Sequence, residues 1–342
     1  MLNNIQNLRA LAAYAVVIHH CVEGYFGYTY LYVLSGGVDL FFVISGFVMV
    51  FTTKSNETPF GFTVKRIARI VPLYWAMTLF VVAITMVRPW GFSASDIAPE
   101  SIFATLFFVP YPNLNGDSIP ILPPGWTLNY EMHFNVLFAL SLALPRRFQV
   151  VGVIAFLAAI WVLCQFGGAN RFAQHYGNAI VFEFAVGCIV ACVLRLPAVA
   201  AFARATPMWP IAVAALAAVA VAPFVFQDFA LRLRTILPFG VLVFAAAAQD
   251  LYRTPARETL VTRLGDASYS AYLAHTVIMA LIGMGVGVLT KGAMELQFWP
   301  FLGMVCVSTA VLSLILAQVF ERPSASFVRK LFNRPPKIAA HP

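Results

Sequence analysis

Ten stretches of mostly apolar residues, each close to the length of a membrane span, recur along the whole chain and constrain its fold. A helix needs about 20 mostly apolar residues to cross the hydrocarbon core of a bilayer. The pattern predicts an all-α fold, a polytopic transmembrane helical bundle of about ten spans that forms a single domain over residues 1–342. The predicted spans are 8–26, 33–53, 70–88, 125–144, 149–166, 178–195, 209–226, 235–249, 266–289 and 298–319.

The composition of the chain excludes a soluble domain. Of the 342 residues, 61% are hydrophobic and only 11% are charged, whereas an average soluble domain contains about 25% charged residues. The net charge of +8 comes from short basic clusters between apolar runs, and these clusters do not form the basic stripe of a nucleic-acid-binding protein. The five cysteines lack metal-ligand spacing, so we expect no metal site.

The basic residues predict the orientation of the spans. With a cytoplasmic N-terminus, seventeen of the 22 Lys and Arg residues fall in cytoplasmic segments and five in outer segments, as the positive-inside rule requires. Both termini are then cytoplasmic, and residues 321–342 form a basic tail. The shorter apolar piece at 101–110 rises only about 15 Å as a helix, so we interpret it as interfacial or re-entrant. If this piece formed an eleventh span, the orientation of every later span across the membrane would be inverted.

The first predicted span carries an ionisable residue near each end, Arg9 and His20. A charged group inside a membrane costs about 2.5–3.5 kcal/mol on insertion scales, so such residues suggest a function. Their spacing of eleven residues places them on one helix face, about 16.5 Å apart along the axis. His19 is turned away by about 80–100°. The structural alternative is that Arg9 anchors the inner end and that His20 only bonds across a helix interface.

Two carboxylates are predicted inside the membrane. Asp39 follows a pair of glycines in the second span, and Glu131 lies over a turn into the fourth span, near Trp126 and Asn129. A carboxylate bonded to one ring nitrogen of a histidine makes the other nitrogen a better base. Asp39 and Glu131 are therefore candidates to assist His20, and the alternative for the polar residues around Glu131 is a water-filled crevice.

A pair of arginines, Arg66 and Arg69, stands at the inner mouth of the third span on one helix face. Guanidinium groups bind phosphate bidentately, so the pair predicts a clamp for a phosphate-bearing cytoplasmic ligand. The alternative is topology alone, because any inner segment should be basic.

The ninth span begins with Tyr269 and Tyr272, one helical turn apart, and continues to His275. We predict that these three residues line a substrate pocket. An aromatic belt at the inner interface is the alternative for the tyrosines, and a satisfied core histidine is the alternative for His275.

Six motifs occur in order along the chain and carry a family resemblance. They are the Arg-x10-His pair Arg9 and His20, "GVDLFFVISGF", the Arg66 and Arg69 pair leading into "IVPLYW", "WTLNYEMHF", "YSAYLAH" and the terminal "ERP". Together they resemble the acyltransferase-3 family of bacterial integral membrane proteins over nearly the whole chain. Because no soluble domain is appended, the chain is most similar to the exopolysaccharide-production branch.

This resemblance implies a membrane O-acyltransferase in the bacterial cytoplasmic (inner) membrane. It would move an acetyl or other short acyl group from cytoplasmic acyl-CoA to a sugar hydroxyl of an exopolysaccharide or another cell-surface glycan. Acetyl-CoA is then a substrate, and no cofactor is bound permanently. The implied partners are acyl-CoA, the glycan acceptor and the lipid bilayer, while polysaccharide-synthesis machinery and a second copy of the chain are left open.

The resemblance also implies roles for the predicted residues. His20 would be the general base, and Asp39 or Glu131 would orient its ring or bind sugar hydroxyls. Three arginines would hold the coenzyme A donor, namely Arg9, Arg66 and Arg69. Five further residues would bind substrate, namely Trp126, Asn129, Tyr269, Tyr272 and His275. The competing class is a transporter or flippase of a lipid-linked sugar, which also uses intramembrane ionisable residues but moves its substrate without acyl-CoA.

Overall fold

The computed structural model describes residues 2–27, 32–87, 97–112, 119–168, 170–225, 231–289 and 297–332, and every regular element within these ranges is helical. The α-helices are α1 (Asn3–Phe26), α2 (Tyr32–Ser35), α3 (Gly37–Thr52), α4 (Pro59–Val87), α5 (Pro99–Leu106), α6 (Gly125–Ser141), α7 (Gln149–Gln165), α8 (Arg171–Tyr176), α9 (Val181–Val193), α10 (Pro197–Ala205), α11 (Trp209–Val225), α12 (Leu231–Tyr252), α13 (Leu260–Asp266), α14 (Ser268–Leu289), α15 (Phe298–Leu316) and α16 (Arg322–Phe332). A 3₁₀ turn, Arg146–Phe148, precedes α7, and a π-helical segment, Ala317–Glu321, joins α15 to α16. The predicted all-α fold is confirmed.

Each predicted span coincides with a helix, although the ends differ. The largest difference is α4, which begins at Pro59 whereas the third span was predicted to begin at residue 70. In the described part of the chain, six helical segments are long and apolar enough to cross a membrane, and a seventh is added if α10 and α11, bent by 98°, form one span. The membrane helical bundle is confirmed, whereas the count of about ten spans and the cytoplasmic termini stay predictions.

The apolar piece predicted at 101–110 forms α5, which has 8 residues. Such a helix rises about 12 Å and is too short to cross a bilayer. Trp75 of α4 donates its indole N–H to the carbonyl of Leu106 over 2.7 Å, which ties the end of α5 to α4. This arrangement agrees with an interfacial or re-entrant helix and not with an eleventh span.

Helix α1 lies at the centre of the bundle, in contact with α3, α12, α13, α14 and α15. Its small apolar residues Ala12, Ala13 and Val17 are fully buried. Small side chains on a membrane helix allow neighbouring backbones to approach, so α1 can pack against several helices at once. The residues of α1 that carry ionisable groups are thereby brought next to α3, α13 and α14.

Glycines allow α3 and α9 to pack in direct backbone contact. A Cβ atom added to Gly46 would overlap the backbone of Phe184, and one added to Gly187 would overlap the carbonyl of Val43. Small residues in membrane helices permit such close approach. This contact fixes α3, which forms one wall of the site described below.

The last helices form one helical stretch from Phe298 to Phe332 that is interrupted by the π-helical segment. Helix α16 packs against α4, and the ring of Phe332 lies 6.3 Å from that of Phe60. At the π-helical segment, Ser270 donates from Oγ to Oε2 of Glu321 over 2.6 Å. The end of the described chain is therefore anchored to both α4 and α14.

Candidate active site

A cavity of about 130 Å³, here called the central cavity, lies between α1, α3, α4, α6 and α14. Its wall combines charged side chains with apolar ones such as Val38, Phe41 and Phe47. Six of the residues singled out from the sequence line it, namely Arg9, Arg66, Arg69, Glu131, Tyr269 and Tyr272. Residues from distant parts of the chain therefore meet at one site.

Arg9 reaches the central cavity from α1 and is 8% exposed. Its Nη1 donates a 2.9 Å hydrogen bond to Oε1 of Gln6, one turn earlier on the same helix. Gln6 is held by α13, because Gly265 packs so closely on the Gln6 carbonyl that a Cβ atom there would overlap it. In the described part of the chain this bond uses one of the five guanidinium N–H donors, so Arg9 keeps donors for an anion.

Arg66 and Glu131 form an ion pair at the central cavity, with 3.6 Å between Nη2 and Oε1. Arg66 also donates from Nε to Oδ1 of Asn135 over 3.1 Å, and its guanidinium lies 5.8 Å from the centre of the Phe62 ring. These contacts fix the guanidinium against α6. Arg69 lines the same cavity, so both cations of the predicted clamp are present there.

Both tyrosines of α14 form hydrogen bonds through their hydroxyl groups in the wall of the central cavity. Tyr269 donates to the carbonyl of Ile70 over 2.6 Å, and the hydroxyl of Tyr272 lies 2.9 Å from Oγ1 of Thr127. The Phe41 ring packs edge-on against Tyr272 with 5.8 Å between ring centres. The tyrosines therefore join α14 to α4 and α6 and line the central cavity, and their predicted substrate-binding role stays a prediction.

A second cavity, here called the basic cavity, shares Arg9, Thr52, Arg66 and Arg69 with the central cavity. Its volume is about 440 Å³. Among the described residues its wall holds six cations, Arg9, Lys65, Arg66, Arg69, Arg322 and Arg329, and three carboxylates, Glu57, Asp266 and Glu321. A cavity lined mainly by one sign of charge concentrates ligands of the opposite sign. The basic cavity is thus suited to an anion, and the shared arginines connect it to the central cavity.

His20 does not line the central cavity. Its side chain is 38% exposed, and its Nδ1 donates to Oε2 of Glu23 over 3.2 Å. The ring stacks on that of His275, with 5.3 Å between ring centres. Nδ1 of His275 donates to the backbone carbonyl of Tyr272 over 2.7 Å. Tyr272 therefore connects the wall of the central cavity with the histidine pair.

The carboxylate at Nδ1 of His20 is Glu23, one turn further along α1. The sequence had suggested Asp39 or Glu131 for this position. Glu131 is instead placed at the central cavity with Arg66, because α6 faces α4 there. The ring of His19 also reaches Glu23, with 3.8 Å between Nε2 and Oε2.

Four other predicted site residues lie outside the lining of the central cavity. Asp39 is in the first turn of α3, and Trp126 packs against Tyr130 with 6.1 Å between ring centres. Asn129 is 1% exposed, and among the described residues its side-chain amide has no hydrogen-bond partner. His275 is fully buried, and its Nε2 likewise has no partner in the described part of the chain. Their predicted substrate-binding and catalytic roles stay predictions.

Several residues of the site were missed in the sequence. Gln6 and Glu23 each stand three residues from a predicted residue of α1, which is the spacing of neighbours on a helix face, so this signal was present. Thr127 and Ser268 also line the central cavity. No local signal marks them, because short hydroxyl side chains are common in membrane helices.

His19, His20 and Glu23 form a group whose three ligand-type atoms all lie within 4.8 Å of one another. Two imidazoles and a carboxylate are a donor set that zinc accepts. The cysteine spacing predicts no metal site, and this group contains no cysteine. The same atoms also suit a histidine oriented by a carboxylate.

Comparison with known proteins identifies related chains. The acyltransferase-3 family model, an acyltransferase domain, matches residues 2–318. The exopolysaccharide production protein ExoZ of Rhizobium meliloti (strain 1021) is 31% identical over 298 residues, which cover 84% of this chain and 89% of that protein. The acyltransferase MdmB of Streptomyces mycarofaciens is 25% identical over 312 residues, which cover 81% of this chain and 79% of that protein. No solved structure matches the chain.

Proposed function

The chain belongs to the acyltransferase-3 family, and on that premise we propose that this membrane acyltransferase moves an acetyl or other short acyl group from cytoplasmic acyl-CoA to a hydroxyl of an exopolysaccharide or another cell-surface glycan. The name of the Rhizobium meliloti relative, an exopolysaccharide production protein, supports the choice of acceptor class. The bacterial cytoplasmic membrane, where acyl-CoA reaches one face and the growing glycan the other, is the proposed location.

The observation that carries the proposed donor is the junction of the two cavities. Arg9, Arg66 and Arg69 belong to both, so an anion bound in the basic cavity reaches directly into the central cavity. Coenzyme A has this shape and charge, with several phosphates on a nucleotide and a thin pantetheine arm that ends in the thioester. The phosphates would bind the guanidinium groups bidentately, and the arm would extend along the apolar wall.

The proposed chemistry is direct transfer from sulfur to oxygen. The acceptor hydroxyl attacks the thioester carbonyl carbon, its C–O bond forms, and its proton passes to Nε2 of His20 as general base. The C–S bond then breaks, and the coenzyme A sulfur takes the proton back from the imidazolium. Because Nδ1 of His20 donates to Glu23, Nε2 is the nitrogen that holds the free electron pair.

The proposed path between donor and base passes Tyr272. This residue lines the central cavity, and His275, stacked on His20, is bonded to its backbone carbonyl. His20 also stands about 16.5 Å along α1 from Arg9, a distance that a pantetheine arm can cover. The donor would thus be held at the Arg9 end of α1 and the acyl group transferred at the His20 end.

Labelled acetyl-CoA tests the proposal. Membrane vesicles of defined orientation, carrying the full chain, are incubated with [¹⁴C]acetyl-CoA and the polysaccharide of the producing cell. We expect alkali-labile label on the glycan only when the donor is on the cytoplasmic side, because acetyl-CoA does not cross a bilayer. Glycan that moves across the membrane without acetyl-CoA and without label would instead indicate a transporter.

A further inference from the structure

Helix α16 contributes a wall to the basic cavity that the proposed donor site does not yet use. Arg322, Ala325 and Arg329 line this cavity, and their i, i+3, i+7 spacing puts them on one face of the helix. Phe327 and Leu331, which are exposed, lie on the opposite side. The helix therefore turns its two arginines toward the same space as Arg66 and Arg69.

The position of α16 is fixed by contacts on both sides of the arginines. Before Arg322, Glu321 of the π-helical segment accepts the hydrogen bond from Ser270. After Arg329, Phe332 packs near Phe60 of α4. Single π turns inside helices are frequent at functional sites, and here the turn is where the chain passes from α15 into the cavity wall.

The charges around α16 leave the wall of the basic cavity cationic. Lys65 is paired with Glu57, with 2.5 Å between Nζ and Oε2, and the carboxylate of Glu321 accepts from Ser270. Arg329 donates from Nε to the carbonyl of Ala325 over 3.0 Å, which orients the guanidinium and uses one of its five N–H donors in the described part of the chain. Two arginines at the outer wall, in addition to those shared with the central cavity, suit a ligand with phosphates at more than one position.

We propose that α16 is part of the donor site, with Arg322 and Arg329 binding phosphates at the nucleotide end of acyl-CoA. The inference rests on the proposed acyl-CoA donor. The nucleotide carries a 3′-phosphate as well as a diphosphate, and the outer arginines bind the former while Arg9, Arg66 and Arg69 bind toward the thioester arm. The family match ends at residue 318, and Arg329 lies beyond both that match and the "ERP" motif that contains Arg322.

The experiment measures equilibrium binding of coenzyme A to the full chain in nanodiscs of zwitterionic lipid. The test variant is Arg322→Gln with Arg329→Gln, and the matched control is Lys330→Gln. Lys330 is an exposed neighbour on the same helix that does not line the cavity, and its removal costs one charge. We expect about tenfold weaker binding for the double variant, the size expected for losing two partly exposed charge-assisted contacts, and little change for the control.

Binding of dephospho-coenzyme A, which lacks only the 3′-phosphate, tests whether Arg322 and Arg329 contact that phosphate. The wild-type chain should bind it more weakly than coenzyme A, and the double variant should bind the two ligands alike. Acetyl transfer should show the same pattern as a raised KM for acetyl-CoA at an unchanged kcat. If the double variant does not fold, the single variant Arg329→Gln, which changes one exposed side chain in the last turns of α16, should still reduce the preference for coenzyme A over dephospho-coenzyme A.

The outcomes separate this inference from the proposed function. A double variant that binds coenzyme A as tightly as the wild type and the Lys330→Gln control overturns the inference alone. Loss of affinity only in nanodiscs with anionic lipid assigns the arginines to lipid headgroups and also overturns it. A wild-type chain that neither binds coenzyme A nor labels a glycan overturns the proposed function together with the inference.

Discussion

Arg66 on α4 lies 3.6 Å from Glu131 on α6, measured between Nη2 and Oε1, at the junction of the two cavities. Asn135, one turn further along α6, accepts a second bond from Arg66. The same guanidinium therefore ties two helices together and presents positive charge to a ligand. Its removal should therefore weaken ligand binding and also leave Glu131 and Asn135 without this partner.

Arg66→Ala should raise the apparent KM for acetyl-CoA by about tenfold with a smaller effect on kcat, because a bidentate cation is lost from the donor site. Arg66→Lys should give an intermediate value, since lysine keeps the charge but lacks the planar fork. Arg146→Ala is the control, as Arg146 is exposed and outside both cavities. Equal KM values for Arg66→Ala and the control would assign Arg66 to topology and packing.

His20→Ala should lower kcat for acetyl transfer by about a hundredfold or more, the range for loss of a general base. The folded state should persist, because the side chain is only partly buried, and gel filtration in detergent checks this. His19→Ala is the matched control and should retain most of the activity. Transfer by the His20→Ala variant at a rate near that of the wild type would rule out His20 as the base.

Glu23→Gln should lower kcat by about tenfold and leave the KM for acetyl-CoA unchanged, because in the proposed mechanism Glu23 orients His20 through its hydrogen bond to Nδ1 and does not bind the donor. Glu23→Asp keeps the carboxylate and should restore part of the rate. If Glu23 had only a packing role, both variants would instead lose activity to the same extent, and both would lose thermal stability. Steady-state kinetics together with melting curves in detergent distinguish these cases.

Gly187→Ala should destabilise the protein by about 1–3 kcal/mol, because the added methyl group forces α9 away from the backbone of α3. Gly283→Ala is the matched control, since among the described residues nothing beyond the adjoining turns of its own helix lies within 4 Å of a Cβ at that position. Thermal unfolding in detergent should show a lower Tm for the first variant and little change for the second. A similar Tm for both variants would mean that the two helices are not in the described contact.

Zinc distinguishes the two interpretations of the His19, His20 and Glu23 group. If His20 is a base oriented by Glu23, added zinc ions should inhibit transfer, because the metal would occupy the electron pair that accepts the proton. A chelator should leave the activity of the purified chain unchanged. Activity that is lost with the chelator and restored by zinc would make the group a metal site and would replace the proposed role of His20.

The sequence by itself determined where the long apolar helices form and singled out four of the charged residues that line the central cavity. Apolar runs of span length have one favourable conformation in a bilayer, and the cost of burying charge singles out Arg9, Arg66, Arg69 and Glu131. Glu23 could also have been found, because its spacing from His20 is that of neighbours on one helix face.

Only the tertiary structure decided how these residues are paired. Arg66 bonds to Asn135 across 69 positions of sequence and Ser270 to Glu321 across 51, and no local pattern encodes such contacts. They depend on the side on which each helix packs, which is set by backbone approaches such as that of α9 to α3. For the same reason, the sequence predicts only a basic tail where α16 forms. The packing of α16 against α4 places Arg322 and Arg329 in the wall of the basic cavity.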